Sequence, residues 1–314
     1  MKIISKEDIQ TALKSANPLE LIQDQETGFV AYSQGKTCIP EVGHLYFNNP
    51  SGDCHIKYGY IQGEETFSIK VATGFYDNYL HGLPNGNGLI IVFNQTTGIP
   101  EAILLDEGIL TDIRTTIAGA ISAKYLAPKN VTRIGIIGTG TQAKLQLEWL
   151  SRITGCRKAM VWGRASERVS SFCHEVPDPF EVTPSSSVQE LTQNCELIVC
   201  CTASKSPVLF AEDIRLGTHI IAVGADGNGK NELDPKIFDK ADIRSVDSLS
   251  QCLSFGDSSF STRQQTDFIE LGSIIESPHL GRQSEDQITV SDLTGVAVQD
   301  IQIAQSVIKL LNLR

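Results

Sequence analysis

The sequence predicts an α/β protein built around a doubly wound parallel sheet. Three observations carry that reading. From about residue 133, short apolar runs alternate with helix-like stretches, a pattern that places strands in a sheet covered on both faces. The first run ends in a glycine turn, Gly138-Thr139-Gly140, that opens at once into a helical pattern. The chain then closes on "AVQDIQIAQSVIKLL", whose apolar residues recur at helical spacing. With 314 residues there is room for two domains.

Up to residue 130 the chain reads as strand-like runs separated by turn signals. "FSIKVA" (67–72) and "GLIIVF" (88–93) are strand candidates. "NQTTG" (94–98) then leads into "PEAILL", a hairpin signal, and "LPNGNG" (83–88) is a loop by composition. "TDIRTTIAGAISAKYLA" predicts a helix from about Thr111, with Thr111 and Asp112 as candidate caps and Pro128 as its boundary. The alternating segment follows. "RIGIIG", "KAMVWG", "CELIVCCT" and "THIIAVGAD" are strands, with helices at "TQAKLQLEWLSRI" and "SERVSSFCHEV". The doubly wound domain is placed at 129–290, between a first domain at 1–128 and a C-terminal helix segment, 291–314, expected to cross back onto that first domain.

Composition excludes several classes. A net charge of −11 argues against nucleic acid or an anionic membrane as the main partner. The sequence has no run of about 18 apolar residues, so no membrane span is expected. Acidic and polar residues follow Met1 too soon for a signal peptide. Eight scattered cysteines form no CxxC pair, so no metal site is expected and the thiols read as reduced in a cytoplasmic protein.

Gly138-Thr139-Gly140-Thr141-Gln142-Ala143 fits G-x-G-x-x-G/A between a strand and a helix, the context required of a Rossmann dinucleotide site. Gly138 allows the tight turn, Gly140 close approach of a pyrophosphate, and Ala143 close helix–strand packing. The helix N-terminus then faces the phosphates. An NAD site usually offers an acid at the end of the second strand. Here that strand ends in Gly163-Arg164, with Arg168 beyond, and a guanidinium suits a 2′-phosphate. The expected cofactor is NADP or NAD, with NADP(H) favoured.

"IKVATGFYDN", "LLDEGILTDIRTTIAGAISAKYLA", "IGIIGTGTQA", "VGADGNGKNELD" and "DLTGVAVQDIQIA" together resemble the ornithine cyclodeaminase/μ-crystallin family, over nearly the whole chain. The resemblance implies a central Rossmann domain inserted in an α+β substrate and dimerisation domain, and a homodimer joined through the latter's sheet. It implies chemistry at a C=N bond beside a carboxylate, with a hydride moving between nicotinamide C4 and the α-carbon. It also implies that Lys70 and Arg114 hold the substrate carboxylate and that Asp226 contacts the substrate nitrogen. Lys70 and Asp226 are thus the catalytic candidates. Thr202, Ala203 and Ser204 would approach the nicotinamide ribose, and Gly224, Thr294 and Val296 would lie beside the cofactor.

The residue types agree with those roles. An ammonium in the apolar strand around Lys70 is costly unless paired, although a lysine facing solvent is the plainer alternative. The fork of Arg114 suits a carboxylate, of the substrate or of a neighbour such as Asp112. Asp226 ends a strand at the sheet edge where ligands bind, but an aspartate there also caps helices. μ-Crystallin lacks this acid, which sets the chain nearer the cyclodeaminase and alanine dehydrogenase branch.

One departure stands out. Family members often carry an arginine after a proline in an early strand, whereas here Pro40 is followed by Glu41 and Val42. In "CHIKYGYI", His55 and Lys57 share one face by strand alternation, and His44 lies on the preceding segment. Lys57, with His44 or His55, is therefore the candidate replacement, and a dicarboxylic imino acid such as iminosuccinate is a candidate substrate. Three activities follow: an NAD(P)H-dependent α-imino acid reductase, an ornithine cyclodeaminase that recycles NAD internally, or a non-catalytic NADP(H) or small-ligand binding protein. The set Lys70, Arg114 and Asp226 speaks against the last.

Overall fold

In the computed structural model, which describes residues 1–75, 77–176 and 179–313, the chain forms two compact units. One comprises Met1–Arg114 with Val296–Arg314, the other Thr115–Gly295. The divisions drawn from sequence fell at 128/129 and 290/291. The first instead falls inside one helix, because its later residues bond within the second unit. Ser122 Oγ, for example, lies 2.9 Å from His219 Nε2 and donates to Ser291 Oγ.

The first unit runs β1 (Lys2–Ile4), α1 (Lys6–Ser15), α2 (Pro18–Ser33), β2 (Thr37–Cys38), β3 (Gly43–Asn48), β4 (Ser51–Ile61), β5 (Thr66–Phe75), β6 (Gly86–Asn94), β7 (Pro100–Leu104) and the start of α3 (Ile109–Leu126). Its sheet has the order β1-β7-β6-β5-β4-β2, with β3 also paired to β4. The two strand candidates are β5 and β6, and the β6–β7 pairing is antiparallel. The turn between them is fixed by Asn94, whose Oδ1 accepts from the backbone N–H of Thr96 and Thr97 at 3.0 and 2.9 Å. The loop expected at 83–88 is shorter, since β6 begins at Gly86.

Two helices stand where only strand-like runs were expected. Ser5 and Asp8 form a capping box for α1, and Asn17 with Pro18 starts α2. The C-terminal helix, Ala297–Leu310, lies against α2 and against β4, β5 and β6, with Val298, Ile301, Ala304 and Val307 buried. The α3 helix begins earlier than predicted. Asp106, not Thr111 or Asp112, caps it: its Oδ2 accepts from Leu110 N–H at 3.0 Å.

The second unit continues through α3 to β8 (Ile134–Ile137), α4 (Thr141–Thr154), β9 (Lys158–Trp162), α5 (Ser166–Glu175), β10 (Glu181–Pro184), α6 (Val188–Asn194), β11 (Leu197–Cys200), β12 (Lys205–Leu209), β13 (His219–Ala222), β14 (Asn231–Leu233), α7 (Lys236–Lys240), β15 (Ile243–Val246), α8 (Leu249–Phe255), β16 (Ile269–Glu270), α9 (Leu271–Glu276) and β17 (Thr289–Asp292). Eight parallel strands form one sheet in the order β10-β9-β8-β11-β13-β17-β15-β16. Strands β8, β11 and β13 are buried throughout, as a sheet covered on both faces requires. The strand order reverses between β8 and β11, and a ligand crevice opens at the carboxyl ends there. The mixed α/β fold with a Rossmann-type parallel sheet is therefore as predicted. All eight cysteines are free thiols.

Candidate functional site

A cavity of about 780 Å³ lies at that reversal. Its walls are the turns after β8 (Gly138, Thr139, Gly140), after β9 (Gly163, Arg164, Ala165, with Arg168 on α5) and after β11 (Cys201 to Ser204). Gly138 has φ +129°, and a Cβ there would meet Cys201 O at 2.9 Å, so only glycine serves. A Cβ on Gly140 would meet nothing within 4 Å: that position faces open space. Gly140 is also the N-cap of α4 and offers no side chain to its first-turn N–H groups. A helix N-terminus without a side-chain cap beside a glycine turn suits a pyrophosphate. Thr141, Gln142 and Ala143 form the first turn of α4. Ala143 is fully buried against the sheet, while Gln142 Oε1 accepts from Thr116 Oγ1 at 3.5 Å. Arg164 and Arg168 line the cavity at the end of β9, where an NAD site would place an acid.

Behind the β11 turn lies a group of buried acids that the sequence reading did not single out. Glu232, on β14, accepts through Oε1 from the N–H of Thr202 and from Thr202 Oγ1 (2.8 Å), and through Oε2 from Gly224 N–H (2.7 Å). Burial, reinforced by Asp257, pushes its carboxyl up, while the Thr202 and Gly224 donors pull it back and favour the ionised form. Asp257 in turn accepts from the N–H groups of Glu232 and Leu233 and from Asn231 Nδ2, at 2.6 to 2.9 Å.

Of the remaining candidates, Asp226 sits differently from expectation. Asp226 lies four residues beyond the end of β13, not on it. A turn rather than a helix follows, so it is not at a helix start; it pairs with Lys230. Thr294 is buried and donates to Asp247 Oδ1 at 3.1 Å. Gly224 is spoken for by Glu232. Val296, in the first unit, is fully buried.

In the first unit a second constellation forms on the sheet face that the C-terminal helix covers. Lys57 on β4 and Lys70 on β5 are register partners. Both are buried, at 6% and 2% exposure, so neither faces solvent. Arg114, in the second turn of α3, is buried beside them. Lys70 Nζ and Arg114 Nε lie 2.8 and 3.2 Å from the same oxygen, Asp300 Oδ1 of the C-terminal helix. Arg114 thus pairs with Asp300 rather than with Asp112.

That pairing is incomplete. Arg114 Nε and Asp300 Oδ2 make no hydrogen bond, and Arg114 Nη1 reaches Gln299 Oε1 only at 3.5 Å. The guanidinium fork is therefore not engaged in a bidentate pair. Burial, then repulsion from Arg114 and Lys57, pulls Lys70 down to about 7 against the attraction of Asp300. Burial pushes the Asp300 carboxyl up, but Lys70, Arg114 and Lys57 together hold it below the usual range. Lys70 and Arg114 thus meet at one carboxylate, with Lys57 near enough to act on it and with Asp106 a second buried acid that Lys70 influences, so the cluster is a buried group of three bases and two acids. His44 and His55 are cross-strand partners with ring centroids 4.7 Å apart, and His55 lies 3.6 Å from Asp53. Glu41, at the place of the missing arginine, is exposed. Among the described residues no three His, Cys, Asp or Glu side chains are grouped to hold a metal, and no helix is long and apolar enough to cross a membrane.

These two constellations, on this fold, define a dinucleotide-binding α/β protein of the amino- and imino-acid oxidoreductase type. The match of residues 2–311 to the ornithine cyclodeaminase/mu-crystallin family model shows that the chain belongs to that family. An alanine dehydrogenase of Archaeoglobus fulgidus is 33% identical over 313 residues, covering 97% of this chain and 93% of that protein. The structure of Thermococcus litoralis Δ1-pyrroline-2-carboxylate reductase with NADH and L-proline has a TM-score of 0.91 at 27% identity, covering 99% and 97% of the two chains. The iminosuccinate reductase of Paracoccus denitrificans with NAD+ has a TM-score of 0.87 at 28% identity, covering 99% and 96%.

Proposed function

We propose that the protein is an NAD(P)H-dependent reductase of an α-imino acid. The observation that carries this reading is the buried cluster of Lys57, Lys70 and Arg114 with Asp300, in which the fork of Arg114 is not taken up by a bidentate pair, in a chain that also carries a glycine-turn cleft. The cleft fits a dinucleotide: Gly140 leaves room for a pyrophosphate, and α4 presents its N-terminus to it. When bound, a reduced nicotinamide supplies a hydride to the carbon of a C=N bond. Lys70 and Arg114 grip the adjacent carboxylate and so orient that bond. Asp226, with Lys230, is assigned to the substrate nitrogen, where a proton must be held as the amine forms. Gly224, Thr294 and Val296 act in this reading by fixing backbone beside the cofactor, since their side chains are absent, bonded or buried.

Two finer assignments belong to the same reading. Arg164 and Arg168 favour NADP(H) over NAD(H) by offering guanidinium groups to a 2′-phosphate. Lys57, with His55 on the same face and His44 opposite it, favours a substrate with a second carboxylate, and the likeness to an iminosuccinate reductase supports that choice. We further infer a homodimer. Leu45, Tyr46 and Phe47 on β3 and Tyr58 and Tyr60 on β4 leave large apolar groups exposed on the first sheet. A cytoplasmic location accords with eight free thiols.

The test is an assay of net cofactor oxidation. Consumption of NADPH or NADH with pyrroline-2-carboxylate, piperideine-2-carboxylate, or oxaloacetate plus ammonia supports the reductase. Ammonia release from ornithine with no net cofactor change would replace it with the cyclodeaminase. Neither signal, with tight cofactor binding, would leave a binding protein.

A further inference from the structure

We infer that Glu232 is a positioning residue for the cofactor: its carboxylate clasps the turn after β11 to the turn after β13, holding the cavity wall formed by Thr202 to Ser204. The inference rests on the dinucleotide reading of that cavity.

The geometry is specific. The Thr202 hydroxyl accepts from Ser204 N–H at 3.3 Å, so its own proton is committed to Glu232 Oε1. The same oxygen takes the N–H of Thr202, and Oε2 takes the N–H of Gly224. Glu232 thus receives three donors from two separate turns. Next to it, Asn231 N–H donates to Ser204 O at 2.9 Å, so β14 holds both ends of the segment Thr202–Ser204. Gly224 leaves no slack: a Cβ there would lie 2.0 Å from Thr202 O and 2.5 Å from Glu232 Oε2. The clasp is itself anchored from behind by Asp257, which takes the N–H of Glu232. Glu232 is fully buried and is not part of the cavity lining, so it acts through Thr202 rather than by touching a ligand.

Glu232→Gln keeps the shape but brings an N–H₂ group against N–H donors on Thr202 or Gly224. Binding of NADPH and of NADH is read by energy transfer from tryptophan, since Trp162 lines the cavity. The expected result is cofactor affinity weakened about tenfold or more, with KM for the cofactor raised and KM for the imino acid within about twofold of wild type. A merely structural loss would move both KM values or neither. Should Glu232→Gln fail to fold, Thr202→Val decides, with weaker binding that Thr202→Ser restores. Cofactor affinity within about twofold of wild type in whichever variant folds overturns the clasp. If the wild-type protein binds neither dinucleotide, the functional reading itself fails and the clasp with it, an outcome told apart because it appears without any substitution.

Discussion

Asp300 is where residue-level reasoning gained most from the structure. Lys70 and Arg114 were legible because a lysine inside an apolar strand and an arginine in the helix-opening "LTDIRTT" are conspicuous, and a known family carries both. Their shared carboxylate was not singled out, although an acid in the apolar stripe of "AVQDIQIAQ" was the available signal. Glu232 was hidden for another reason. Nothing in "KNELD" distinguishes a buried acid from a surface one until β14 is seen behind the β11 turn. Lys57 was legible because the arginine expected after Pro40 is missing and strand alternation sets Lys57 on one face with His55; it is buried.

Two predictions belong at this scale. Lys57→Met should raise KM for a dicarboxylic imino acid about tenfold and leave a monocarboxylic one nearly unchanged. Equal KM values for wild type and variant on the dicarboxylate would remove Lys57 from the site. Lys70, pulled down to about 7 in the free protein, is protonated below that pH and neutral above it. A carboxylate needs the protonated form, so kcat/KM for the imino acid should fall by up to about tenfold per pH unit above pH 7. The folded state holds the Lys70 proton less tightly than the unfolded chain does. Stability linked to this group therefore rises with pH between about 7 and 10.5. A kcat/KM profile flat across that range contradicts the assignment.

At the scale of elements, the uninterrupted apolar strands and amphipathic helices of the parallel sheet were legible, and so was the β6–β7 hairpin. The pieces missed are short or polar. Strands β12 and β14 are "KSPVL" and "NEL", which carry polar residues or proline instead of an unbroken apolar run, yet they lie behind the β11 turn that walls the cavity. The start of α3 was misjudged because two plausible caps, Thr111 and Asp112, lie inside the helix that Asp106 caps from farther upstream. The prediction here concerns the turn after β9. Arg164→Ala should raise KM for NADPH about tenfold and leave KM for NADH within about twofold. A variant that loses both cofactors equally, or neither, places Arg164 outside the 2′-phosphate site.

For the whole molecule, a chain that leaves one unit, builds a second and returns by a C-terminal helix was what the family resemblance implied, and it accounts for the glycine turn lying mid-chain. The residues of α3 up to Arg114 belong to the first unit and those from Thr115 onward to the second. The exposed aromatic residues of β3 and β4 predict a dimer by light scattering. Phe47→Asp combined with Tyr58→Asp should shift the mass toward the monomer without unfolding either unit. An unchanged mass in the double variant would move the interface elsewhere.

The central claim is that a carboxylate held by Lys70 and Arg114 presents an adjacent carbon–nitrogen double bond to a hydride. Its most direct measurement is isotopic: turnover of cofactor deuterated at nicotinamide C4 with an α-imino acid, followed by mass spectrometry of the amino acid formed. The account predicts deuterium on the α-carbon, transferred stereospecifically and in step with cofactor oxidation. An amino acid product without deuterium at that carbon would contradict it.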